Sequence, residues 1–141
     1  MKKILISILI GITAMNASVS MAEDNSIICL AKNIYHEAKG EPLAGKLAVA
    51  KVTINRVKSG DFASTICGVV YERGQFSWTT NRRLKVQDKE AWQESVDIAK
   101  HSLKTGLDDV NLSALYFHNT SVKPRWNKKR IAKIGNHVFY K

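Results

Sequence analysis

The spacing of apolar residues changes along the chain, from a helical period in the first two thirds to a β-prone composition in the last third. Leu30, Ile34 and Ala38 recur every four residues on one helix face, and Gly40 is typical of a helix end. Similar patterns, with Pro42 in a first turn and Asp88 as an N-cap, predict further helices. The predicted helices cover residues 26–39, 42–59, about 64–71 and 89–105.

The last third of the sequence predicts β-structure. Residues 114–118 are β-prone, and Gly135-Asn136 separates the short segments 131–134 and 137–140, a pattern typical of a hairpin. Residues 72–86 show neither period, so we expect an irregular, partly exposed loop with a short extended pair. The prediction is an α+β fold, a small helix-rich domain with a short C-terminal β-hairpin.

Residues 1–22 have the three-part layout of a secretory signal peptide. Lys2 and Lys3 precede an apolar run, and Ser20 and Ala22 are small residues suited to cleavage before Glu23. The alternative is a retained membrane anchor, but the strongly apolar stretch is about half of the ~20 residues that span a bilayer. We therefore expect export to a periplasm, cell wall or extracellular space, with residues 23–141 as the functional domain.

The charge balance favours an anionic partner. The chain has 22 Lys and Arg against 12 Asp and Glu, a net charge of +10, and loss of residues 1–22 would lower it to +8. Nucleic acid, anionic lipid and anionic wall polymers all fit such a charge, although export argues against nucleic acid. A solvated basic face is the alternative for the exposed cations, which include Arg82, Arg83, Lys128, Lys129 and Arg130.

Cys29 and Cys67 are the only cysteines. In an exported chain we expect them to form a structural disulfide, with two buried free thiols as the alternative. They are too few for a four-thiolate metal site.

Glu37 is the residue whose position suggests chemistry. It flanks the apolar stripe in the last turn before Gly40, where apolar neighbours and the negative end of the helix dipole both raise a carboxyl pKa. A carboxyl protonated near neutral pH can act as a general acid. The alternative is a glutamate that reaches solvent or caps the next helix. We expect Glu41 to be a first-turn acid of that second helix.

The histidines give no metal motif. A zinc protease helix would need a second histidine four residues after His36, and position 40 is Gly. His101, His118 and His137 are scattered, so a metal site assembled from distant parts is only a minor alternative. We predict no metal and no cofactor.

Several segments resemble the catalytic domain of the SleB/CwlJ-type cell wall hydrolases, in the order of that family and across nearly all of residues 23–141. They are residues 34–42 (IYHEAKGEP), 45–57 (GKLAVAKVTINRV), 65–71 (TICGVVY), 75–78 (QFSW), 114–119 (ALYFHN) and 133–139 (KIGNHVF). The resemblance implies a lysozyme-like fold that cuts peptidoglycan between N-acetylmuramic acid and N-acetylglucosamine. It places the catalytic glutamate at Glu37.

The resemblance also implies a lytic transglycosylase, in which one glutamate serves as acid and then as base and gives 1,6-anhydro products. The alternatives are a muramidase that uses water, a non-catalytic peptidoglycan-binding module and a metal-dependent amidase or peptidase. Hydrolysing glycosidases usually need two carboxyls, and Asp61, Glu72, Asp88 and Glu90 lie outside the quoted segments.

Sugar binding needs flat apolar faces and fixed polar groups. The expected substrate-binding residues are Gln75, Phe76, Ser77, Trp78, Tyr116 and Asn119, with core packing as the alternative for the aromatics. We expect Trp92 and Phe139 in the core. The expected partner is the glycan strand of peptidoglycan, bound by a monomer that contacts membrane only through its signal segment and binds no nucleic acid.

Overall fold

The computed structural model describes residues 14–81 and 83–141. The helices are α1 (Ala14–Ala38), α2 (Leu43–Ser59), α3 (Ile66–Tyr71) and α4 (Lys89–Thr105), with a 3-10 turn at Ser77–Thr80. The strands are β1 (Tyr116–Asn119), β2 (Arg130–Ile134) and β3 (His137–Tyr140). Most of the predicted signal sequence, residues 1–13, and the predicted surface residue Arg82 lie outside the described residues.

The prediction for the start of the first helix was wrong. Helix α1 begins at Ala14 rather than Ser26, so it continues across the expected cleavage point before Glu23. Residues 20–25 are exposed, and full burial begins at Leu30, which explains why the apolar pattern was visible only from there. Cleavage before Glu23 stays a prediction. Within the described ranges, no helix combines the length and apolar character needed to cross a membrane.

The start of α4 and the ends of α2 and α4 are as predicted, whereas Pro42 is the N-cap of α2 rather than part of its first turn. Asp88 Oδ1 accepts a hydrogen bond from Ala91 N at 3.0 Å, which satisfies an otherwise free donor in the first turn of α4. Thr65 Oγ1 does the same for α3 through Gly68 N at 3.0 Å. Gly60 and Gly106 close α2 and α4 with φ of 78° and 64°, a conformation that favours glycine.

Two apolar clusters form the core. The larger one joins α1, α2, α3 and α4 through buried residues such as Leu30, Ile54 and Ile98, with Trp92 partly buried against it. The smaller one packs the sheet on α2, with Phe139 fully buried at its centre. The prediction that Phe139 lies in the core is confirmed, and Trp92 packs on the larger cluster of the core as expected.

The three strands form one antiparallel sheet in the order β1-β3-β2. The predicted hairpin is confirmed as β2 and β3, and β1 adds a third strand on the other side of β3. Phe117 lies opposite Phe139, and both pack on the core, whereas Tyr116 and Tyr140 lie on the opposite face. The prediction of an extended pair in 72–86 was wrong for the described residues there, which contain a 3-10 turn instead. The α+β, helix-rich fold is confirmed.

Cys29 and Cys67 form a disulfide, which confirms the predicted bridge. It joins α1 to α3 across 38 positions of sequence, with the two Cα atoms 5.3 Å apart. It therefore fixes α3, and the loop that follows it, against the helix that carries Glu37.

Glu41 holds the β-hairpin in place rather than serving α2. The expectation of a first-turn acid was wrong, because Pro42 is the N-cap and the helix begins at Leu43. The Glu41 carboxylate instead accepts a hydrogen bond from Asn136 N, at 2.8 Å, in the turn between β2 and β3. This contact ties the sheet to the segment that follows α1.

We expect Gly135→Ala to destabilise the protein by about 3 kcal/mol. Gly135 has φ of 56°, and a Cβ there would overlap the Glu41 carboxylate. The variant would combine the cost of a left-handed alanine, about 1 kcal/mol, with loss of the charged Glu41–Asn136 hydrogen bond, about 2 kcal/mol. Urea unfolding measures the change.

Gly60→Ala is the matched control. Gly60 has φ of 78°, and a Cβ there would meet nothing within 4 Å. Its cost should be the conformational one alone, about 1 kcal/mol. Equal losses for the two variants would show that the Glu41 contact contributes nothing.

Candidate functional site

Glu37 lies in the last turn of α1 and is half-buried. Burial raises the pKa of its carboxyl from 4.5 to about 7, while the positive charge of Arg56 acts in the opposite direction. Burial against apolar neighbours is one of the two causes that the sequence suggested. The carboxyl is therefore protonated in about half of the molecules near neutral pH.

Arg56 of α2 is the buried cation that faces Glu37. Its side chain is 4% exposed, and its Nε donates a hydrogen bond to Leu115 O at 2.8 Å. The guanidinium carbon lies 4.9 Å from the ring centre of Phe62 and 5.1 Å from that of Phe76. Within the described part of the chain, its Nη1 has no hydrogen-bond partner. A buried cation with a free Nη1 donor thus acts electrostatically on the protonatable Glu37 carboxyl.

Glu72 and Tyr116 complete the cluster around Arg56. Burial lowers the pKa of Arg56, whereas the carboxylates of Glu72 and Glu37 favour the protonated guanidinium and act to raise it. Glu72 Oε2 is buried and has no partner among the described residues. The structure therefore places a second carboxyl near the cation that faces Glu37.

Sequence reasoning gave no role to Arg56 or Glu72. Arg56 follows Val49 and Val52 on a buried face of α2, and a lone cation on an apolar stripe was the signal that could have found it. Glu72 directly follows the 65–71 segment and forms the C-cap of α3. Nothing local distinguishes it from a surface acid, because its neighbours come from α2 and β1.

Trp78 lies against the turn of α1 that carries Glu37. Its ring stacks on His36 with centres 4.6 Å apart, and its Nε1 donates to Asn33 Oδ1 at 3.0 Å. Asn33 is fully buried and in turn donates to Thr53 Oγ1 at 3.3 Å. A half-buried indole is thereby held in a fixed orientation next to the catalytic candidate, which suits stacking against a sugar ring.

The other predicted binding residues have different surroundings. Phe76 is 3% exposed and supports Arg56 from within the core, so it offers no face to solvent. Gln75 is half-buried and Ser77 is exposed in the same loop. Asn119 is exposed at the far end of β1 from Tyr116, and its Oδ1 accepts from Ser121 N at 2.9 Å. The structure thus places Phe76 and Tyr116 around Arg56 and Trp78 on His36, the neighbour of Glu37 in sequence, and it leaves Asn119 apart from them.

The histidines take part in separate contacts. His118 Nε2 lies 2.9 Å from Tyr140 Oη, whereas His137 is buried against Phe117 and Phe139. In the described ranges, no three His, Cys, Asp or Glu side chains are grouped as a metal site requires.

A surface cavity of about 510 Å³ lies elsewhere, between α2 and α4. Leu43, Leu47 and Ile98 line it together with acidic side chains, and none of the residues around Glu37 does. We therefore locate the candidate site by the raised pKa of Glu37, the buried guanidinium of Arg56 and the fixed indole of Trp78, and not by the size of a cavity.

Residues 40–140 match a family model described as cell wall hydrolase. The chain belongs to this family. The resemblance seen in the sequence is thereby confirmed. Glu37 lies just before the matched residues.

Two catalytic domains of known structure are similar to this chain in both sequence and fold. The catalytic domain of the Bacillus cereus SleB protein is 33% identical, with a TM-score of 0.67, over 84% of this chain and 91% of that one. The catalytic domain of a germination-specific lytic transglycosylase, SleB from Bacillus anthracis, gives the same identity and TM-score over 83% and 94%.

A spore cortex-lytic enzyme of Oceanobacillus iheyensis is 34% identical over 122 residues, which is 83% of this chain and 42% of that protein. A match that covers 83% of 141 residues necessarily spans position 37. The chain corresponds to less than half the length of this relative.

Proposed function

We propose that this protein cleaves the glycan strand of peptidoglycan between N-acetylmuramic acid and N-acetylglucosamine, with Glu37 as the catalytic acid. The observation that carries the proposal is the half-buried Glu37 carboxyl, with a pKa of about 7, in a chain of the cell wall hydrolase family. The likeness to catalytic domains, including one described as a lytic transglycosylase, supports the same reaction class.

In the proposed reaction, Glu37 first donates its proton to the glycosidic oxygen, and the bond from that oxygen to the anomeric carbon of muramic acid breaks. The Glu37 carboxylate then takes the proton of the muramic 6-hydroxyl, whose oxygen bonds to the same carbon and closes a 1,6-anhydro ring. Arg56 would stabilise the carboxylate that exists between the two steps, since the buried guanidinium favours the charged form. No water is consumed and no cofactor is required.

Hydrolysis is the second candidate, and Glu72 is the observation that favours it. A hydrolysing glycosidase uses a second carboxyl as base or nucleophile, and Glu72 shares the Arg56 cation with Glu37. Its free Oε2 is buried, however, so it would first have to become accessible to a water molecule or the sugar. Transglycosylation needs no such change.

Mass spectrometry of the muropeptides released from purified sacculi separates these reactions. The proposal expects products with an anhydro end, which weigh one water less than those with a reducing end. Reducing ends alone would assign hydrolysis instead. Cleavage of stem peptides with intact glycan would overturn both.

The cleavage rate should be constant at acidic pH and fall as pH rises through about 7, because the reaction begins with protonated Glu37. Burial raises the pKa of this acid, so activity persists above the range in which an ordinary glutamate has lost its proton. The measurement is kcat/KM on solubilised glycan strands across the pH range. A decline centred near 4.5, the ordinary glutamate pKa, would contradict the assignment.

Glu72→Gln provides the control for this pH profile. The carboxylates that act on Arg56 are those of Glu37 and Glu72, and the Tyr116 ring lies 5.9 Å from its guanidinium carbon. The negative charge of Glu72 offsets part of the positive charge of Arg56. Without it, the guanidinium stabilises the Glu37 carboxylate more strongly, and the pKa of Glu37 falls. The alkaline decline should therefore move to lower pH, whereas Glu90→Gln on the exposed surface of α4 should leave it unchanged.

Export to a compartment that contains peptidoglycan is part of the proposal. The signal-like residues 1–22 and the Cys29–Cys67 disulfide support it, since disulfides persist in oxidising compartments. Fractionation of cells followed by N-terminal sequencing of the mature protein would test both export and the cut before Glu23.

A further inference from the structure

The C-terminal part of the chain carries an unusually one-sided charge. Residues 110–141 contain no Asp or Glu and seven Lys or Arg. These cations are Lys123, Arg125, Lys128, Lys129, Arg130, Lys133 and Lys141. Among the described residues, the ion pairs join Lys46 to Glu94 and Lys58 to Asp108, so none of the seven is paired. An external anion is therefore the natural partner for this surface.

An exposed tryptophan lies among these cations in the sequence. Trp126, in the segment that links β1 to β2, is 42% exposed although its side chain is large and apolar. Its ring centre lies 5.6 Å from those of His118 and Tyr140 and 6.2 Å from that of Tyr116. These rings stand on the face of the sheet that is opposite to Phe117 and Phe139. The aromatic cluster fixes one side of Trp126 and leaves the rest open to solvent.

The same surface lies next to Arg56, the buried cation that acts on Glu37. Lys128 Nζ lies 3.6 Å from the ring centre of Tyr116. Tyr116 lies 5.9 Å from the guanidinium carbon of Arg56, and Arg56 faces Glu37. Trp126, Tyr116 and Arg56 are therefore successive neighbours that lead from the exposed surface toward Glu37. A long polymer bound at Glu37 would reach this surface.

We propose that Trp126 and the flanking cations Arg125, Lys128 and Lys129 form a binding surface for the peptide-bearing part of the peptidoglycan strand. The open face of Trp126 would pack on a sugar ring, and the cations would pair with the carboxylates of the stem peptides. This rests on the proposed function and adds to it a preference for glycan that still carries its peptides. In the intact strand the lactyl carboxyl of each muramic acid is amide-bonded to its peptide, so the peptides supply the anions that the surface requires.

The test is cosedimentation with intact sacculi and with bead-coupled glycan strands from which an amidase has removed the peptides and whose freed lactyl carboxyls are capped as methyl amides. Glu37→Gln protein is used so that neither substrate is cut. Arg125→Gln/Lys128→Gln/Lys129→Gln should weaken binding to intact sacculi by about tenfold and leave binding to stripped strands nearly unchanged. Raising the salt to about 0.3 M should remove most of the difference. Trp126→Ala should weaken binding to both substrates.

The matched control is Lys89→Gln/Lys100→Gln/Lys104→Gln, which removes the same charge from exposed positions of α4. If the two triple variants lose the same amount of binding to intact sacculi, the effect depends only on net charge and the proposal is wrong. Equal loss on stripped and intact strands would also overturn it. If the Arg125→Gln/Lys128→Gln/Lys129→Gln variant loses binding to phosphatidylglycerol vesicles but binds sacculi as the wild type does, the surface binds a membrane instead.

Binding and cleavage are separate readouts, so failure of this inference can be told from failure of the proposed function. If muropeptide release by the wild-type protein is absent but the triple variant still loses sacculus binding, the binding surface stands without the catalytic assignment. If release occurs and the variant binds intact sacculi normally, the binding surface is wrong and the catalytic assignment stands.

Discussion

Glu37→Gln should reduce peptidoglycan cleavage by about a thousandfold, because the amide can neither donate the proton to the glycosidic oxygen nor accept one afterwards. The substitution keeps the size and shape of the side chain, so substrate binding should change little and the loss should appear in kcat. Zymograms on purified sacculi and quantified muropeptide release measure the effect. A variant that clears the gel like the wild type would remove Glu37 from the mechanism.

The same substitution should stabilise the fold at alkaline pH. The folded state raises the Glu37 pKa from 4.5 to about 7, so folding favours the protonated form. The resulting penalty is absent below the unfolded pKa, grows as the pH rises between the two values and is complete above the folded pKa. Glutamine avoids it, which should raise the free energy of unfolding by up to about 3 kcal/mol near pH 8 and by little near pH 4.

This pair of outcomes separates a catalytic carboxyl from a structural one. If Glu37 were a structural residue, its replacement would reduce activity and stability together. Glu90→Gln, at an exposed position of α4, is the matched control and should change neither quantity appreciably. A lower stability of Glu37→Gln at pH 8 would contradict the burial argument even if activity were lost.

The local features of this fold could be predicted because short-range chemistry determines them. The Asp88 cap, the left-handed Gly60 and Gly106 and the Gly135-Asn136 turn each depend on neighbours within a few residues. The raised pKa of Glu37 was likewise predictable from its place beside an apolar helix stripe. The start of α1 was missed because residues 20–25 are exposed and show no apolar face.

The partners of Glu37 could not be predicted because they come from distant segments. Arg56 is enclosed by Phe62, Phe76 and Tyr116, and its Nε bonds to the backbone of Leu115. Each of these contacts requires the packed arrangement of α2, the loop after α3 and β1. Periodicity reports which face of an element is buried, and it carries no information about which residues meet there. The same limit explains why β1 was not predicted to join β3.

Removing the Cys29–Cys67 bridge should cost about 4 kcal/mol of stability, because a cross-link over 38 positions restricts the unfolded chain far more than the folded one. Cys29→Ala/Cys67→Ala should therefore unfold about 10–15 °C below the wild type in thermal scans. Its denaturant m-value should rise, since the unfolded chain without the cross-link exposes more surface. An unchanged melting temperature would show that the bridge does not form.

Reduced wild-type protein is the control that separates the cross-link from the packing of the two sulfur atoms. The reduced wild type and the double alanine variant both lack the cross-link, but only the variant has lost the half-buried side-chain atoms. If the cross-link is the main contribution, their stabilities should agree to within about 1 kcal/mol and lie well below that of the oxidised protein.

Because the bridge joins α3 to α1, its loss should also loosen Glu72 and Trp78 relative to Glu37. The cleavage rate of the double variant should therefore decline at temperatures at which the protein is still folded. If the rate instead falls only in proportion to the folded fraction, the bridge contributes to overall stability and does not position the site.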